Sequence, residues 1–285
     1  MKHMIQPFGI DMYNKVLTDT KSSKHMSFYE ADKSGMPDNF TISFIPSYTT
    51  EWIICYNDGN DKAEFICAGS QNKLTELSLN VFDHYFGVRF DNTGCYFNKG
   101  CNAKTYPVNI TDNVFRYEPV PDSYEMQLVK DFHKSLTFKD RIALFKAFVT
   151  DCKTFCPVSE SIKELNNLIY SGAGTVAELS AESEYSVRHI SRLYNKVYGI
   201  GAKDFIKMYR FQNVLAEIIA NPDRDNSFFI EGTGYSDQAH FQREFKAFTG
   251  TTPKQYIKLI NIHKRGDSPR SVGLPPLFIN HHQLI

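Results

Sequence analysis

Between about residue 25 and residue 110, apolar and polar positions alternate over short runs. NFTISFIP (39–46), TEWIICYN (50–57), KAEFICA (62–68) and DHYFGVRF (83–90) are rich in Ile, Phe, Tyr and Val. Turn clusters such as YNDGND (56–61) and FDNTG (90–94) separate them. A period of two built from β-branched and aromatic residues marks half-buried antiparallel strands. Several in close succession predict a small barrel or sandwich. From about Asp122 the period lengthens. SYEMQLVKDFHKSL and KDRIALFKAFVTDCKTF place apolar residues three and four apart, as amphipathic helices do. Pro157 closes the second of these, and Ser159 caps a further helix in ESIKELNNLIYSG.

Past a break at Gly172 and Gly174, the chain to about Lys264 reads as helices joined by short turns. In TVAELSAESEYSVRHISRLYNKVYG (175–199), Thr175 and Glu178 form a capping box, VAELSAE is a short helix, SEYS is a turn, and Ser186 caps a second helix. At about 100° per residue, Ile190, Leu193, Tyr194 and Val197 share one face, and Arg188, Ser191, Arg192 and Asn195 the other. This is a helix–turn–helix with a buried stripe and a donor-rich stripe. Arginine matches O6 and N7 of guanine, and Asn and Gln match adenine, so a major groove can use the donor stripe. GAKDFIKMYRFQNVLAEIIANP (201–222) is a long amphipathic helix ended by Pro222.

DNSFFIEGTGYSDQAHFQREFKAFTG then repeats the device, with Ser236 where Ser186 stood. Phe241, Phe245 and Phe248 make the buried stripe, and Gln238, Gln242, Arg243 and Lys246 the donor stripe. An intervening helix of about 19 residues spans about 28 Å, close to the roughly 34 Å of one B-DNA turn. Two recognition helices at that distance fit successive major grooves on one face of the duplex. Lys196 and Lys246 are assigned to phosphate, and His240 joins the candidate contacts.

The fold class expected is α+β. A small antiparallel β-barrel or sandwich (1–121) comes first. A helical linker region (122–171) and an all-α double helix–turn–helix domain (172–264) follow. The tail, 265–285, carries three prolines and no periodicity, and is expected to be extended, disordered, or laid across the surface.

Composition changes this picture little. The chain has 285 residues, 42% of them hydrophobic and 14% aromatic, which is ample for packed cores. Net charge is zero, but residues 1–174 carry −3 and residues 175–285 carry +3. That excess permits nucleic-acid binding without demanding it. With no apolar run long enough for a membrane span or signal peptide, a cytoplasmic location is expected. The six cysteines contain no C-x-x-C pair and read as reduced, buried thiols.

VAELS, YSVRHISRLYNKVYG, RFQNVLAEI and GYSDQAHFQREFKAFTGTTPKQY resemble the DNA-binding domain of the AraC/XylS family of bacterial transcription regulators. The resemblance spans about residues 170–260. It implies two helix–turn–helix units joined by a long helix, with base contacts from Arg188, Ser191 and Arg192 and from Gln238, Gln242 and Arg243. It also implies cap and phosphate roles for Ser186 and Ser236. The family usually has Gly where Glu184 stands, Pro where Ala202 stands and Ala where Ile230 stands, and Gly232 weakens the first helix of the second unit. The N-terminal half resembles, more distantly, the β-rich sensor domains attached to such regulators, some of which bind small ligands and many of which dimerise. The implied partners are double-stranded DNA, a small-molecule effector, a second copy of the chain, and RNA polymerase if the protein is an activator. No cofactor and no membrane partner is expected.

A cupin-type metal set needs two histidines one residue apart followed by a glutamate, and His84 stands alone. Trp52 and the many Phe and Tyr suit core packing better than a ligand pocket. An enzyme with a catalytic β-rich half is the alternative reading. It lacks G-x-S-x-G, G-x-x-x-x-G-K and H-E-x-x-H. A third reading makes Cys95 and Cys101, or Cys152 and Cys156, an oxidation sensor, although Lys153 is the only adjacent cation.

Overall fold

The computed structural model describes residues 17–19, 26–33, 39–60, 62–91, 95–97, 111–152, 155–224, 226–230 and 233–265. The tail from residue 266, Gly232 and Cys101 lie outside them, as do the side chains of Cys95, Cys152 and Cys156.

The β half contains β1 (Leu17–Asp19), β2 (Met26–Asp32), β3 (Asn39–Phe44), β4 (Thr49–Tyr56), β5 (Ala63–Ala68), β6 (Thr75–Asn80), β7 (His84–Asp91), β8 (Cys95–Phe97) and β9 (Val114–Tyr117). Six strands form an antiparallel sheet in the order β1-β2-β7-β4-β5-β9, and β3 pairs with β6 in a separate ribbon. The sheet is open, with β1 and β9 at its edges, so the sandwich expectation holds and the closed barrel does not.

Period-two alternation explains why the sheet is covered on both faces. Trp52, Ile54 and Tyr56 of β4, Phe65 and Cys67 of β5, and Phe86, Val88 and Phe90 of β7 share one core with α1 (Tyr124–Lys134) and α2 (Phe138–Cys152). The intervening residues, Ile53, Cys55, Ile66, Ala68 and Tyr85, meet Ile42, Phe44 and Leu79 of the ribbon. All eight residues of β4 are therefore buried. Phe145 is the hub of the helix-side core, its ring 6.1 Å from those of Phe28, Trp52 and Phe90 and 5.8 Å from that of Phe86. Trp52 is thus a core residue, and Cys55 and Cys67 are buried thiols that burial holds well above their usual titration range.

One charge sits inside this sheet. Glu51, 3% exposed, accepts hydrogen bonds from Tyr29 Oη at 2.5 Å and Arg89 Nε at 2.9 Å. Such a carboxylate is tolerable only when paired in this way. Tyr29 reaches it by lying across the backbone of Gly87, where an added Cβ would come within 1.8 Å of the ring. His84 is structural too, with Nε2 3.0 Å from Asp58 Oδ1 and its ring stacked on Tyr56.

The helical half begins differently from the expectation. Pro157 does not close α2, which ends at Cys152. It lies in β10 (Phe155–Pro157), paired with β8, an edge position that a residue without an N–H can occupy. The remaining helices are α3 (Glu160–Ser171), α4 (Val176–Glu182), α5 (Val187–Tyr198), α6 (Ala202–Ala220), α7 (Asn226–Ile230), α8 (Gln238–Thr249) and α9 (Pro253–Arg265). The stretch read as one linker, 122–171, divides between two cores. The α1 and α2 helices belong to the sheet, whereas Ile162, Leu165 and Ile169 of α3 pack with α4, α5 and the N-terminal part of α6. A further core joins the C-terminal part of α6 to α7, α8 and α9. Among the described residues no helix is long and apolar enough to cross a membrane.

The two halves touch along α6. Tyr48 stacks on Phe205, Gln212 Nε2 donates to the Pro46 carbonyl at 2.7 Å, and Ile45 enters the core of α7–α9. Nearby, Thr111 Oγ1 donates to the Tyr198 carbonyl at 2.6 Å.

Candidate nucleic-acid interface

The first unit is built as its sequence requires. Thr175 Oγ1 accepts from Glu178 N–H while the Glu178 carboxylate accepts from Thr175 N–H, completing the capping box. Ser186 caps α5 by accepting from His189 N–H. Ile190, Tyr194 and Tyr198 are buried, and the polar ends of both tyrosines are satisfied by one residue of α3. Tyr194 Oη donates to Asn166 Oδ1 at 2.9 Å, and Asn166 Nδ2 donates to Tyr198 Oη at 2.8 Å. Burial pushes the Tyr194 phenol far up, so it stays a neutral donor. The opposite face is open: Ser186, Arg188, Arg192, Asn195 and Lys196 are exposed and Ser191 is half-buried. Arg192 Nη2 lies 3.1 Å from His189 Nδ1, and Asn195 Nδ2 donates to the Ser191 carbonyl at 2.9 Å. Arg192 and Asn195 thus lie along their own helix.

The second unit uses the same plan with different parts. Phe241 and Phe245 are buried, and Phe248 is half-buried against Phe211 of α6 at 4.8 Å. Gln238, Arg243 and Lys246 are exposed and Gln242 is half-buried, and Arg243 borders a groove against Asp204 and Lys207 of α6 and Asn72 of the β half. The cap is Asp237, not Ser236. Asp237 Oδ1 accepts from His240 N–H at 2.7 Å, and Ser236 Oγ instead donates to Asp237 Oδ2. That backbone hydrogen bond leads the causes that hold the Asp237 carboxyl below its usual range. His240 is half-buried on a different stripe, turned toward Glu244 with Nε2 3.7 Å from Oε2. The turns differ as well: Gly234 has φ +81°, while Glu184 in the first unit has no positive φ. A non-glycine residue is therefore accommodated where the family usually has Gly.

Arg210 escaped sequence reasoning, although a lone arginine amid the apolar residues of a long helix was a signal. Its Nη2 reaches both Glu244 oxygens, at 3.1 and 3.0 Å, and its Nη1 donates to the Gly234 carbonyl at 3.1 Å. The guanidinium also lies 4.5 Å from the Tyr235 ring centre. This one side chain ties the turn and the inner face of α8 to α6. Between the two units runs a groove of about 560 Å³, floored by Ile206, Tyr209 and Arg210 and walled by Thr175 and Thr233. Each unit is thus seated on α6 by its own core. Among the described residues, no cluster of His, Cys, Asp and Glu suits a metal ion.

Residues 179–259 match a family model described as a helix-turn-helix domain. Over 95 residues, 33% of this chain, it is 30% identical to uncharacterized HTH-type transcriptional regulators of Staphylococcus aureus strains MSSA476 and COL. That stretch spans 12% of those relatives' own length. The fold is similar to that of an apo ToxT variant from Vibrio cholerae strain SCE256, at a TM-score of 0.46 and 11% identity over 84% of this chain and 98% of that one. It is also similar to ToxT from Vibrio cholerae O395, at 0.45 and 10% over 82% and 97%. Capping residue, turn and amphipathic helix recur twice about one long helix, and residues 179–259 are a helix-turn-helix domain, similar to that of the AraC/XylS regulators.

Proposed function

We propose that this chain is a sequence-specific DNA-binding transcriptional regulator that inserts α5 and α8 into successive major grooves. The observation that carries the reading is the repeated, outward donor face: Arg188, Arg192 and Asn195 on one helix, Gln238, Gln242 and Arg243 on the other, each backed by its own apolar core. The 19 residues of α6 separate the units, a length of about 28 Å that suits one turn of B-DNA. Arg192 and Arg243 read bases, Lys196 and Lys246 neutralise phosphates, and Ser191 and Arg188 complete the first contact set. On this reading the sheet and its helices receive an effector or a second copy of the chain, and the protein works by binding, not by catalysis.

The test is selection of DNA from a random duplex pool by the purified full chain. The expected product is a site with two base clusters about 10–11 base pairs apart, of which Arg192→Ala degrades one and Arg243→Ala the other. Recovery of no preferred sequence, or of one that neither substitution alters, refutes the reading.

A further inference from the structure

We propose that the segment Ile45–Tyr48 of the β half is a positioning element for DNA reading: a brace that fixes the separation and angle of the two recognition helices. The inference rests on the DNA-binding reading above.

The segment bridges both units. Tyr48 belongs to the core of α3–α5, its ring stacked on Phe205 at 4.4 Å and 16°. Ile45 belongs to the core of α7–α9. Between them the Pro46 carbonyl accepts from Gln212 Nε2 at 2.7 Å, and Gln212 is itself buried. Phe205 and Gln212 stand seven residues apart on one stripe of α6, about 10 Å along its axis. The two residue steps from Pro46 to Tyr48 cover at most about 7 Å, so the side chains of Tyr48 and Gln212 lean along the helix to meet their partners. Ile45–Tyr48 therefore runs antiparallel to α6 and is pinned at three points.

The brace is held from behind. Ser47 N–H donates to the Gln71 carbonyl at 3.0 Å and Gln71 N–H donates back to the Ser47 carbonyl at 3.1 Å. Ser47 Oγ and Thr49 Oγ1 are 2.8 Å apart, and Gln71 Nε2 donates to the Gly69 carbonyl at 2.8 Å. Pro46 fixes its own φ.

Why α6 needs a brace follows from lever arms. Long helices bend, and the groove between the units leaves room for it. A kink of about 10° beside Phe205 swings the remaining length of α6, about 22 Å to Ala220, by about 4 Å, more than the roughly 3.4 Å rise of one base pair. An unbraced pair of units would therefore tolerate several spacings of its two base clusters. A braced pair would accept one.

The test uses the full chain and the DNA it selects from a random pool, compared with the same duplex carrying one base pair inserted between the clusters. Wild type should prefer the original spacing by about tenfold or more. Tyr48→Ala, which removes the stack, and Gln212→Met, which removes only the hydrogen bond, should narrow that ratio to about threefold or less. Base preferences within each cluster should stay as they are. A spacing ratio unchanged in both folded variants overturns the brace and leaves DNA reading intact. So does an equal loss of affinity at every spacing, or tighter binding with the same spacing preference. Failure of wild type to enrich any sequence overturns the DNA reading, and the brace with it.

Discussion

Arg210 offers the sharpest test of how the second unit is held. Its side chain is 16% exposed and that of Glu244 10%, so the pair is largely withdrawn from water. Breaking a fully buried pair costs about 3–5 kcal/mol, chiefly through the charge left behind. Some solvent contact remains here, which lowers the figure to about 2–3 kcal/mol, and loss of the contact with Tyr235 adds about 0.5–1 kcal/mol. Arg210→Met should therefore destabilise α8 by about 3 kcal/mol. Replacing both partners by methionine removes the orphaned charge and should recover most of that, giving a coupling energy of about 2 kcal/mol in a double-mutant cycle. Urea unfolding followed by far-UV circular dichroism reads the totals, and hydrogen exchange at the amides of α8 localises the loss. A coupling below about 0.5 kcal/mol, the range of exposed pairs, would refute the seating of α8 by this contact.

Three other outcomes are expected. Arg192→Ala should weaken binding to the selected site by about 1–3 kcal/mol, confined to one or two base positions, whereas Lys196→Ala should lower the slope of log K against log salt by about one; titration by fluorescence anisotropy separates the two. Gly234→Ala should cost about 1–2 kcal/mol because φ is +81° there, while Glu184→Ala in the corresponding turn should stay within about 0.5 kcal/mol; thermal melts compare them. The lowered Asp237 carboxyl contributes stability above its ordinary range near 3.8 and loses it as pH falls through the folded value; Asp237→Asn keeps an acceptor for His240 N–H but should lack that acid-side decline when melts are recorded from pH 7 to pH 2.

What the sequence reveals here is what local pattern determines. The four alternating runs became β3, β4, β5 and β7, and the capping residues Thr175, Ser159 and Ser186 act where their spacing put them. Strands β2 and β6 were harder to see. In MSFYEAD two charged residues, Glu30 and Asp32, flank the buried Ala31, and TELSLN is mostly solvent-facing, with only Leu79 fully buried. The sequence hides the cap at Asp237 because Ser236 aligns with Ser186. The second unit shifts its cap by one residue, and the Gly234 turn accompanies that shift. The contact of Gln212 with Pro46 joins positions 166 residues apart, which no window of local periodicity spans. The role of Arg210 likewise depends on tertiary packing, which brings Glu244, 34 residues on, to its guanidinium.

The two units differ at the N-termini of α5 and α8. One helix starts from an uncharged serine hydroxyl, the other from an aspartate. Phosphate is drawn to helix N-termini, and a carboxylate placed there repels it. On the proposed reading the molecule has a head and a tail: it grips more closely with its first helix than with its second, and no two-fold axis within one chain exchanges them. Its target must then carry a sense, so that the same letters written in the opposite direction on the duplex are a different site.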